Sequence, residues 1–313
     1  MKVSRYFSKS LLGGVILLFF NSSCNTQPGS ESNVVKPQTV SIEGTRFVDG
    51  QGRQILLNGI NLVNKNPEVN YIGDYDSETF KNFKKWGFNV VRLGVIWDGL
   101  EPEPDHFDEN YLKKIDQQIE MAAENDIFVF LDMHQDLFSV KYSDGAPEWA
   151  TLDEGKHHCQ GDVWSDAYLI SPAVQTAWDN FWKNAPAPDG KGVQDHYAEA
   201  WQHLAERYNN NPTVIGFDMM NEPFAGSDAR QFMPRLFSAF AEFLSEKTGK
   251  NHSPEQLVEM WGSTEDRNKM LQTVAKKKDF AKVIDAVYEL NSAFEEGPLQ
   301  SFYQKVANAI RET

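Results

Sequence analysis

The stretch TVIGFDMMNEP, residues 213–223, decides the fold class of this chain. It is an apolar run with the length of a buried strand, and it ends in the polar triplet Asn221-Glu222-Pro223. Three earlier apolar runs also have strand length, and helical patterns separate the four. Strands that are apolar throughout and alternate with helices predict a parallel sheet that is covered on both faces. The three earlier runs are LLNGINL (56–62), NVVRLG (89–94) and IFVFLDMH (127–134).

The segments between these strands show the apolar spacing of helices. Ser77 opens the first predicted helix as its N-cap, and apolar side chains follow at positions 80, 83 and 86. Residues 109–125 and 195–208 have the same spacing, so they are predicted helices too. After the last strand the pattern changes, because residues 229–313 are almost wholly helical in character and contain no fifth buried strand.

Two architectures use such alternating units, the open doubly wound sheet and the (β/α)8 barrel. A dinucleotide-binding doubly wound sheet needs a glycine-rich phosphate turn after its first strand. Here the first strand is followed by NKNPEVNYIGD (64–74), which is no such turn. Polar residues end the later strands, at the edge where barrels form their active sites. We therefore predict an α/β fold, the TIM (β/α)8 barrel, over residues 41–313, with strands one to four, a helical insertion at 229–297, and truncation after the fourth βα unit.

The first 24 residues have the order of a secretory signal peptide. A positively charged start precedes the apolar run 11–20, which is too short to span a bilayer because spanning takes ~20 residues. Cys24 follows two serines, as in bacterial lipoprotein signals, although Asn21 departs from the usual leucine. We predict a signal peptide at 1–24 with Cys24 as the lipidation site, and a tether at 25–40. The protein would then be secreted, or lipid-anchored at the cell surface or outer membrane, with the membrane surface as a partner.

The composition is that of an ordinary globular protein, with 41% hydrophobic and 24% charged residues. The formal net charge of −15 argues against a nucleic-acid partner, because such proteins usually carry a basic face. The two cysteines, Cys24 and Cys159, exclude a small domain held together by disulfides. A chain of 313 residues is long enough for one large core.

The triplet at the end of the fourth strand carries the strongest chemical signal. A glycosidase acid must donate a proton to the leaving oxygen and later take one from water, and glutamate can do both. Asn221 beside it can hydrogen-bond the sugar 2-hydroxyl, a contact that strengthens in the transition state. An Asn-Glu-Pro triplet alone also describes a common turn. Its place after a buried strand predicts Glu222 as the catalytic acid/base of a glycosidase.

Further polar residues at strand ends are candidates for the same site. Arg92 follows two valines in a buried strand, where it needs either a structural salt bridge or a catalytic carboxylate that it keeps ionised. His134 and Asp136 follow the third strand and would contact sugar hydroxyls. With Asp132 they also suggest a metal site, and His157-His158-Cys159 adds to that alternative. No further ligand motif supports it, so we predict no metal and no cofactor.

These stretches resemble the endoglycoceramidase branch of glycoside hydrolase family five over nearly all of 41–313. The resemblance implies a TIM-barrel, retaining β-glycosidase that cleaves the link between oligosaccharide and ceramide in glycosphingolipids. The matching stretches are FVDGQGRQILLNGINLVNKNP (47–67), GFNVVRLGVIWDGLEPEPDHFDENYL (87–112), IFVFLDMHQDLFS (127–139), GAPEWA (145–150), DNFW (179–182), VIGFDMMNEPF (214–224) and LQSFYQKVANAIRE (299–312).

The same resemblance implies roles for individual residues. It implies Glu222 as the acid/base, in agreement with the chemical argument, and a set of contacts for the glucose nearest the cleaved bond. The implied contacts are Lys65, His134, Asp136 and Asn221, with Trp182 as an aromatic sugar platform.

A retaining glycosidase also needs a second carboxylate as its nucleophile, about 5–5.5 Å from the acid. In the resembling family it is a glutamate at the end of strand seven, and no later glutamate of this chain has a strand-end setting. We therefore expect an inactive fragment that lacks the nucleophile, with a complementary C-terminal half as a partner. Two alternatives stay open: a family-five β-glucanase on soluble polysaccharide, and a non-catalytic surface lipoprotein that binds glycans. Apolar lining on the side of the aglycone would favour the glycolipid substrate.

Overall fold

The computed structural model describes residues 39–313 and contains two sheets. The first is a short antiparallel hairpin of β1 (Val40–Glu43) and β2 (Arg46–Asp49). The second is a four-stranded parallel sheet whose strands have the same order in space as along the chain, and each strand overlaps its predicted run. Its strands are β3 (Gly59–Leu62), β4 (Val90–Ile96), β5 (Phe128–His134) and β6 (Val214–Asp218).

The parallel sheet has a buried middle and two exposed edges. β4 and β5 lie in the middle and pair without interruption, from Val90 with Phe128 to Ile96 with His134. Their side chains are buried along nearly the whole length of both strands. At the edges, Ile60 of β3 is 40% exposed and every residue of β6 is half-buried. A closed barrel has no such edges, so within the described residues the sheet is open.

Helices occur in each connection between the parallel strands and form nearly all of the segment after β6. They include each of the helices predicted from apolar spacing. The helices are α1 (Ser77–Lys85), α2 (Trp97–Leu100), α3 (Glu109–Glu124), α4 (Ala167–Ile170), α5 (Pro172–Trp182), α6 (Val193–Tyr208), α7 (Ala229–Thr248), α8 (Pro254–Trp261), α9 (Thr264–Thr273), α10 (Lys277–Ile284), α11 (Tyr288–Phe294) and α12 (Gln300–Arg311).

Two helix starts differ from the expectation. α1 is capped by Asp76 rather than by Ser77, because the Asp76 carboxylate accepts a hydrogen bond from the Thr79 amide at 2.8 Å. No helix was predicted over α5. Its start nevertheless has a recognisable cap, since the Ser171 side chain accepts from a main-chain amide and Pro172 occupies the first turn.

Two groups of buried apolar side chains stabilise the described residues. The larger group packs the sheet against its helices and includes Leu131 of β5 and Trp201 of α6. The smaller group lies among α7–α10 and includes Phe240 and Leu257. After this segment the chain returns to the larger group, where α12 packs on α6 and buries Phe302. Among residues 39–313, no helix has both the length and the apolar character needed to cross a membrane.

Candidate active site

Arg92 of β4 lies at the centre of a polar network at the carboxyl ends of the strands. Its Nη2 atom lies 2.7 Å from Asp132 of β5 and 2.7 Å from Asp218 of β6, and it donates to Asn221 Oδ1 at 3.1 Å. Asp132 is fully buried, so a charge there would be costly without a partner. The partners of Arg92 are therefore two strand carboxylates rather than Glu222. Its guanidinium also fixes the amide of Asn221.

His134 of β5 is held by Asp132, two residues earlier on the same strand. Its Nδ1 atom lies 2.8 Å from Asp132 Oδ2, and both side chains are buried. Burial raises the pKa of Asp132, while the hydrogen bond from His134 and the charge of Arg92 act to lower it. The ring orientation is thereby fixed, and within residues 39–313 its Nε2 atom has no hydrogen-bond partner. The atom is also shielded from solvent, so its hydrogen-bonding capacity is unused in this structure.

A second polar group joins the segments that follow β3 and β5. Lys65 forms an ion pair with Asp136, and its Nζ atom lies 3.8 Å from Asp144. Asp136 and Asp144 are buried, whereas Lys65 is 44% exposed. Burial raises the pKa of Asp144 to about 6, because the opposing charge of Lys65 only partly compensates. Lys65, His134 and Asp136 thus lie in one cluster, to which the structure adds Asp144.

Asn221 and Glu222 form the turn that follows β6. The Asn221 main-chain amide donates to the Met133 oxygen at 3.1 Å, which ties the turn to the end of β5. Glu222 has a left-handed backbone with φ of +44°, a conformation that is uncommon outside glycine. Its side chain is exposed, and its carboxylate forms no hydrogen bond or ion pair with any described residue. A carboxylate that is exposed and uncommitted, beside an amide held in place, can meet a ligand.

Trp182, at the end of α5, lies in an aromatic packing layer. It is half-buried, stacks on Trp178 with ring centres 5.4 Å apart, and packs edge-on against Phe294 and Phe302. Its indole nitrogen donates to the main-chain oxygen of Phe224 at 2.8 Å. The structure therefore shows Trp182 supporting the segment just after Glu222. Its role as a sugar platform stays a prediction.

Asp144 and Asp218 belong to the polar network but were not among the sequence-based candidates. Asp218 had a usable signal, because it is a charged residue within an otherwise apolar run, as Arg92 is. Asp144 had none, because it lies in a Ser-Asp-Gly sequence that is typical of an exposed turn.

The metal alternative gains little from the geometry. Ligand atoms of His134, Asp136 and Asp144 lie within 4.8 Å of one another, which a cation would need. However, the ammonium group of Lys65 already pairs with Asp136 and lies near Asp144. The stretch 157–159 does not form a comparable group within residues 39–313. The arrangement of one cation, two carboxylates and an imidazole suits sugar hydroxyls.

An apolar cavity of about 280 Å³ begins at the residue after Glu222. Pro223 and Phe224 line it, together with side chains from α7 and α11. Among residues 39–313, only Asp228 and Asn291 contribute polar side chains to its lining. The other large lining residues are Leu169, Phe232, Met233, Leu290 and Phe294.

Comparisons with known proteins agree on one family. The cellulase family, glycosyl hydrolase family 5, matches residues 48–252. Endoglycoceramidase I of Rhodococcus hoagii is 33% identical over 191 residues, which cover 60% of this chain and 38% of that protein. The endoglycoceramidase of Hydra vulgaris is 29% identical over 218 residues, covering 60% of this chain and 41% of that protein.

A solved structure of endo-glycoceramidase II from Rhodococcus sp., in its ganglioside GM3 complex, aligns with a TM-score of 0.59 at 26% identity. The alignment covers 85% of this chain and 48% of the solved chain. The chain thus spans about two-fifths of the length of the two curated relatives and about half of the solved structure.

Proposed function

Because this chain belongs to glycosyl hydrolase family 5 and to its endoglycoceramidase branch, we propose that it carries the acid/base of a retaining β-glycosidase that separates oligosaccharide from ceramide in glycosphingolipids. The parallel βα units are those of a TIM barrel, whose active sites lie at the carboxyl ends of the strands. Glu222 follows β6 at that end. Membership of the family supports the enzyme class. The chemistry of the site supports the proposal that the substrate is a glycolipid.

The apolar cavity lined by Pro223 and Phe224, the two residues after Glu222, is the observation that carries the substrate proposal. A glycosidase acid protonates the oxygen that joins the sugar to its leaving group, so the leaving group lies beside the acid. In this chain the residues directly after Glu222 line an apolar cavity, and burial of hydrocarbon there would be favourable. A water-soluble polysaccharide would present hydroxyl groups to the same surface, where few polar side chains could pair with them. The cavity therefore favours ceramide over a sugar as the leaving group.

The polar network provides the part of the site that would bind the sugar. We propose that Lys65, His134 and Asp136 hold hydroxyls of the sugar next to the bond, and that Asn221 holds its 2-hydroxyl. Glu222 would first donate its proton to the ceramide oxygen and then take a proton from the water that releases the sugar. Trp182 is proposed as the aromatic contact of the sugar.

Binding measurements with two ligands that differ only in the ceramide group separate the two substrate classes. The ligands are a water-soluble short-chain lactosylceramide and lactose, each with the same fluorophore, and the readout is anisotropy. The chain should bind the ceramide conjugate at least tenfold more tightly, which corresponds to about 1.4 kcal/mol. Phe232→Gln, which makes the cavity polar, should remove that preference. Leu271→Gln changes a side chain that is 45% exposed and lies outside the cavity lining, so it should retain the preference. Equal affinity for both ligands would favour a soluble polysaccharide instead.

The nucleophile is the remaining part of a retaining mechanism. The strand-end carboxylates of the described residues already have cationic partners: Asp132 and Asp218 pair with Arg92, and Asp136 pairs with Lys65. These ion pairs give each of the three carboxylates a structural role. We therefore propose that the nucleophile lies outside residues 39–313, in a complementary segment that also pairs with the open edges of the sheet. Without that segment this polypeptide would be inactive.

Residues 1–38 lie outside the described part of the chain, and the predictions made for them remain proposals. We propose that residues 1–24 direct export, that Cys24 carries lipid, and that the tether to residue 40 places the domain at the cell surface or outer membrane. Mass spectrometry of the mature N-terminus should find a lipid-modified Cys24. An intact Met1 would contradict export, and an unmodified N-terminus near residue 24 would favour plain secretion.

A further inference from the structure

Gln135, the residue after His134, lies beside two turns that contain left-handed backbone. One turn contains Glu222, with φ of +44°, and the other contains Leu137 and Phe138, with φ of +55° and +79°. None of the three is a glycine, the residue type that adopts such φ values without steric cost. Left-handed residues of other types persist where the surrounding structure holds them. Contacts must therefore hold both turns.

The side-chain amide of Gln135 forms hydrogen bonds to both turns. Its Nε2 atom donates to the main-chain oxygens of Asn221 at 2.7 Å and of Glu222 at 3.0 Å. Its Oε1 atom accepts from the main-chain amide of Phe138 at 2.7 Å. The residue is only 5% exposed, so water cannot readily replace these partners. Both amide hydrogens and the oxygen are committed to the two turns.

The partners also fix the orientation of this amide. A rotation by 180° would place the oxygen against two carbonyl oxygens and the amide hydrogens against the Phe138 N–H. Asn221 adds a reciprocal contact, since its Nδ2 atom donates to the Gln135 main-chain oxygen at 3.1 Å. Gly145 packs against the same side chain, because a Cβ at that position would lie 2.5 Å from the Gln135 Cβ. Gln135 is therefore confined by packing as well as by hydrogen bonds.

We propose that Gln135 is a positioning residue for Glu222: by holding the main-chain oxygens of residues 221 and 222, it fixes the left-handed turn from which the Glu222 carboxylate extends. The proposal rests on the assignment of Glu222 as the acid/base. Gln135 acts through hydrogen bonds to main-chain atoms of the two turns and takes no part in proton transfer. Functional side chains must be held within about 0.5 Å of their productive geometry, so a fixed turn matters for the acid. An ionised glutamate could not replace Gln135, because it has no hydrogen to donate.

Hydrogen–deuterium exchange of the purified 313-residue chain, read by mass spectrometry, tests this role. Gln135→Leu removes all three hydrogen bonds, so exchange in residues 219–225 and 136–139 should rise at least tenfold, while β4 keeps the wild-type rate. Gln135→Glu preserves size and the bond from Phe138. At pH 7 it should raise exchange only in 219–225. At lower pH the carboxyl group gains a hydrogen that it can donate. The exchange rate of the variant in 219–225, divided by the wild-type rate at the same pH, should then return towards one.

Gln118→Leu is the matched control. Gln118 is also buried and donates to the Gly73 oxygen at 3.3 Å, away from both turns, so exchange in 219–225 should stay at the wild-type rate. Unchanged exchange in 219–225 for Gln135→Leu would overturn the proposal. A rise by the same factor throughout the chain would also overturn it, since general loss of stability has that effect. Exchange reports the backbone whatever chemistry Glu222 performs, so failure here would leave the glycosidase proposal intact.

Discussion

At the scale of single residues, the candidate site separates two kinds of carboxylate. Asp132, Asp136 and Asp218 form ion pairs with Arg92 or Lys65, and these pairs fix the side chains around the site. Glu222 is exposed and uncommitted, on a backbone conformation that other residues must maintain. A proton donor has to be free to reach the substrate, whereas a structural carboxylate has no such need. The contrast supports the choice of Glu222 over its neighbours.

Replacement of Glu222 should affect substrates according to how much help their leaving group needs. In the assembled, active glycosidase, Glu222→Gln should reduce turnover of glycosides with poor leaving groups by about 10²–10⁴-fold. Activated aryl glycosides should lose less in their first step, because their leaving groups need little protonation. Initial rates on the two substrate types measure the difference. Glu103→Gln, an exposed glutamate, should change neither rate, and equal losses on both types would argue against the acid role.

Asp144 should make the stability of the protein depend on pH. Burial raises its pKa to about 6, so the folded state binds this proton more tightly than the unfolded chain does. The contribution to stability is therefore complete below about pH 4 and is lost as pH rises through about 6. We expect this group to contribute a fall of about 3 kcal/mol over that interval, and Asp144→Asn should remove that contribution. Urea unfolding at a series of pH values gives the two curves, and parallel curves would show that Asp144 does not titrate in this way.

The sequence revealed those site residues whose type conflicts with their surroundings. Arg92 within an apolar strand and Glu222 directly after one could be recognised because a charge in such a place needs a reason. Asp144 and Gln135 could not, since their roles depend on partners that only the folded chain brings near. Lys65 and Trp182 were suggested by family resemblance alone. The structure places Lys65 in the polar cluster and Trp182 in a packing layer.

At the scale of elements, continuous apolar strands were the easiest features to predict. β4 and β5 are buried along nearly their whole length, so their sequences are apolar throughout and admit few other interpretations. The predicted run for β3 begins at residue 56, before the strand itself begins at Gly59, because an edge strand has fewer residues to bury. α5 was not predicted, although Ser171 and Pro172 carry cap signals and several of its apolar residues are buried. Local chemistry at a helix start can therefore be more informative than the pattern that follows it.

Arg92 ties together three elements, and its removal should cost more than the loss of an ordinary surface pair. Arg92→Leu leaves Asp132 buried without its cation, which is expected to destabilise the fold by about 3–5 kcal/mol. Arg207→Leu breaks a pair with Asp116 in which both side chains are partly exposed, and about 1 kcal/mol is expected there. Urea unfolding of the two variants provides the comparison. Similar losses for both would mean that the strand network contributes little.

At the scale of the whole molecule, the open sheet and the ion-paired carboxylates both lead us to expect no hydrolysis by this polypeptide alone. The polypeptide of residues 39–313 should not hydrolyse a fluorescent glycosylceramide above the background set by its Glu222→Gln variant. If the reading frame continues downstream, co-expression of that segment should restore hydrolysis, because it would supply the nucleophile and cover β3 and β6. Robust hydrolysis by residues 39–313 alone would overturn this view and would point to a nucleophile among the described carboxylates.

The order of the strands also has a kinetic consequence. β3, β4 and β5 follow one another within residues 59–134, whereas β6 begins only at Val214. Contacts between distant parts of a chain form slowly, so we expect β6 to be the last of the four strands to dock. Until then the FVFLDMH edge of β5 lacks a partner, and an apolar segment with strongly β-forming residues is prone to self-association while unpaired. The long segment between β5 and β6 thus prolongs the time during which the β5 edge of a newly made chain is unpaired.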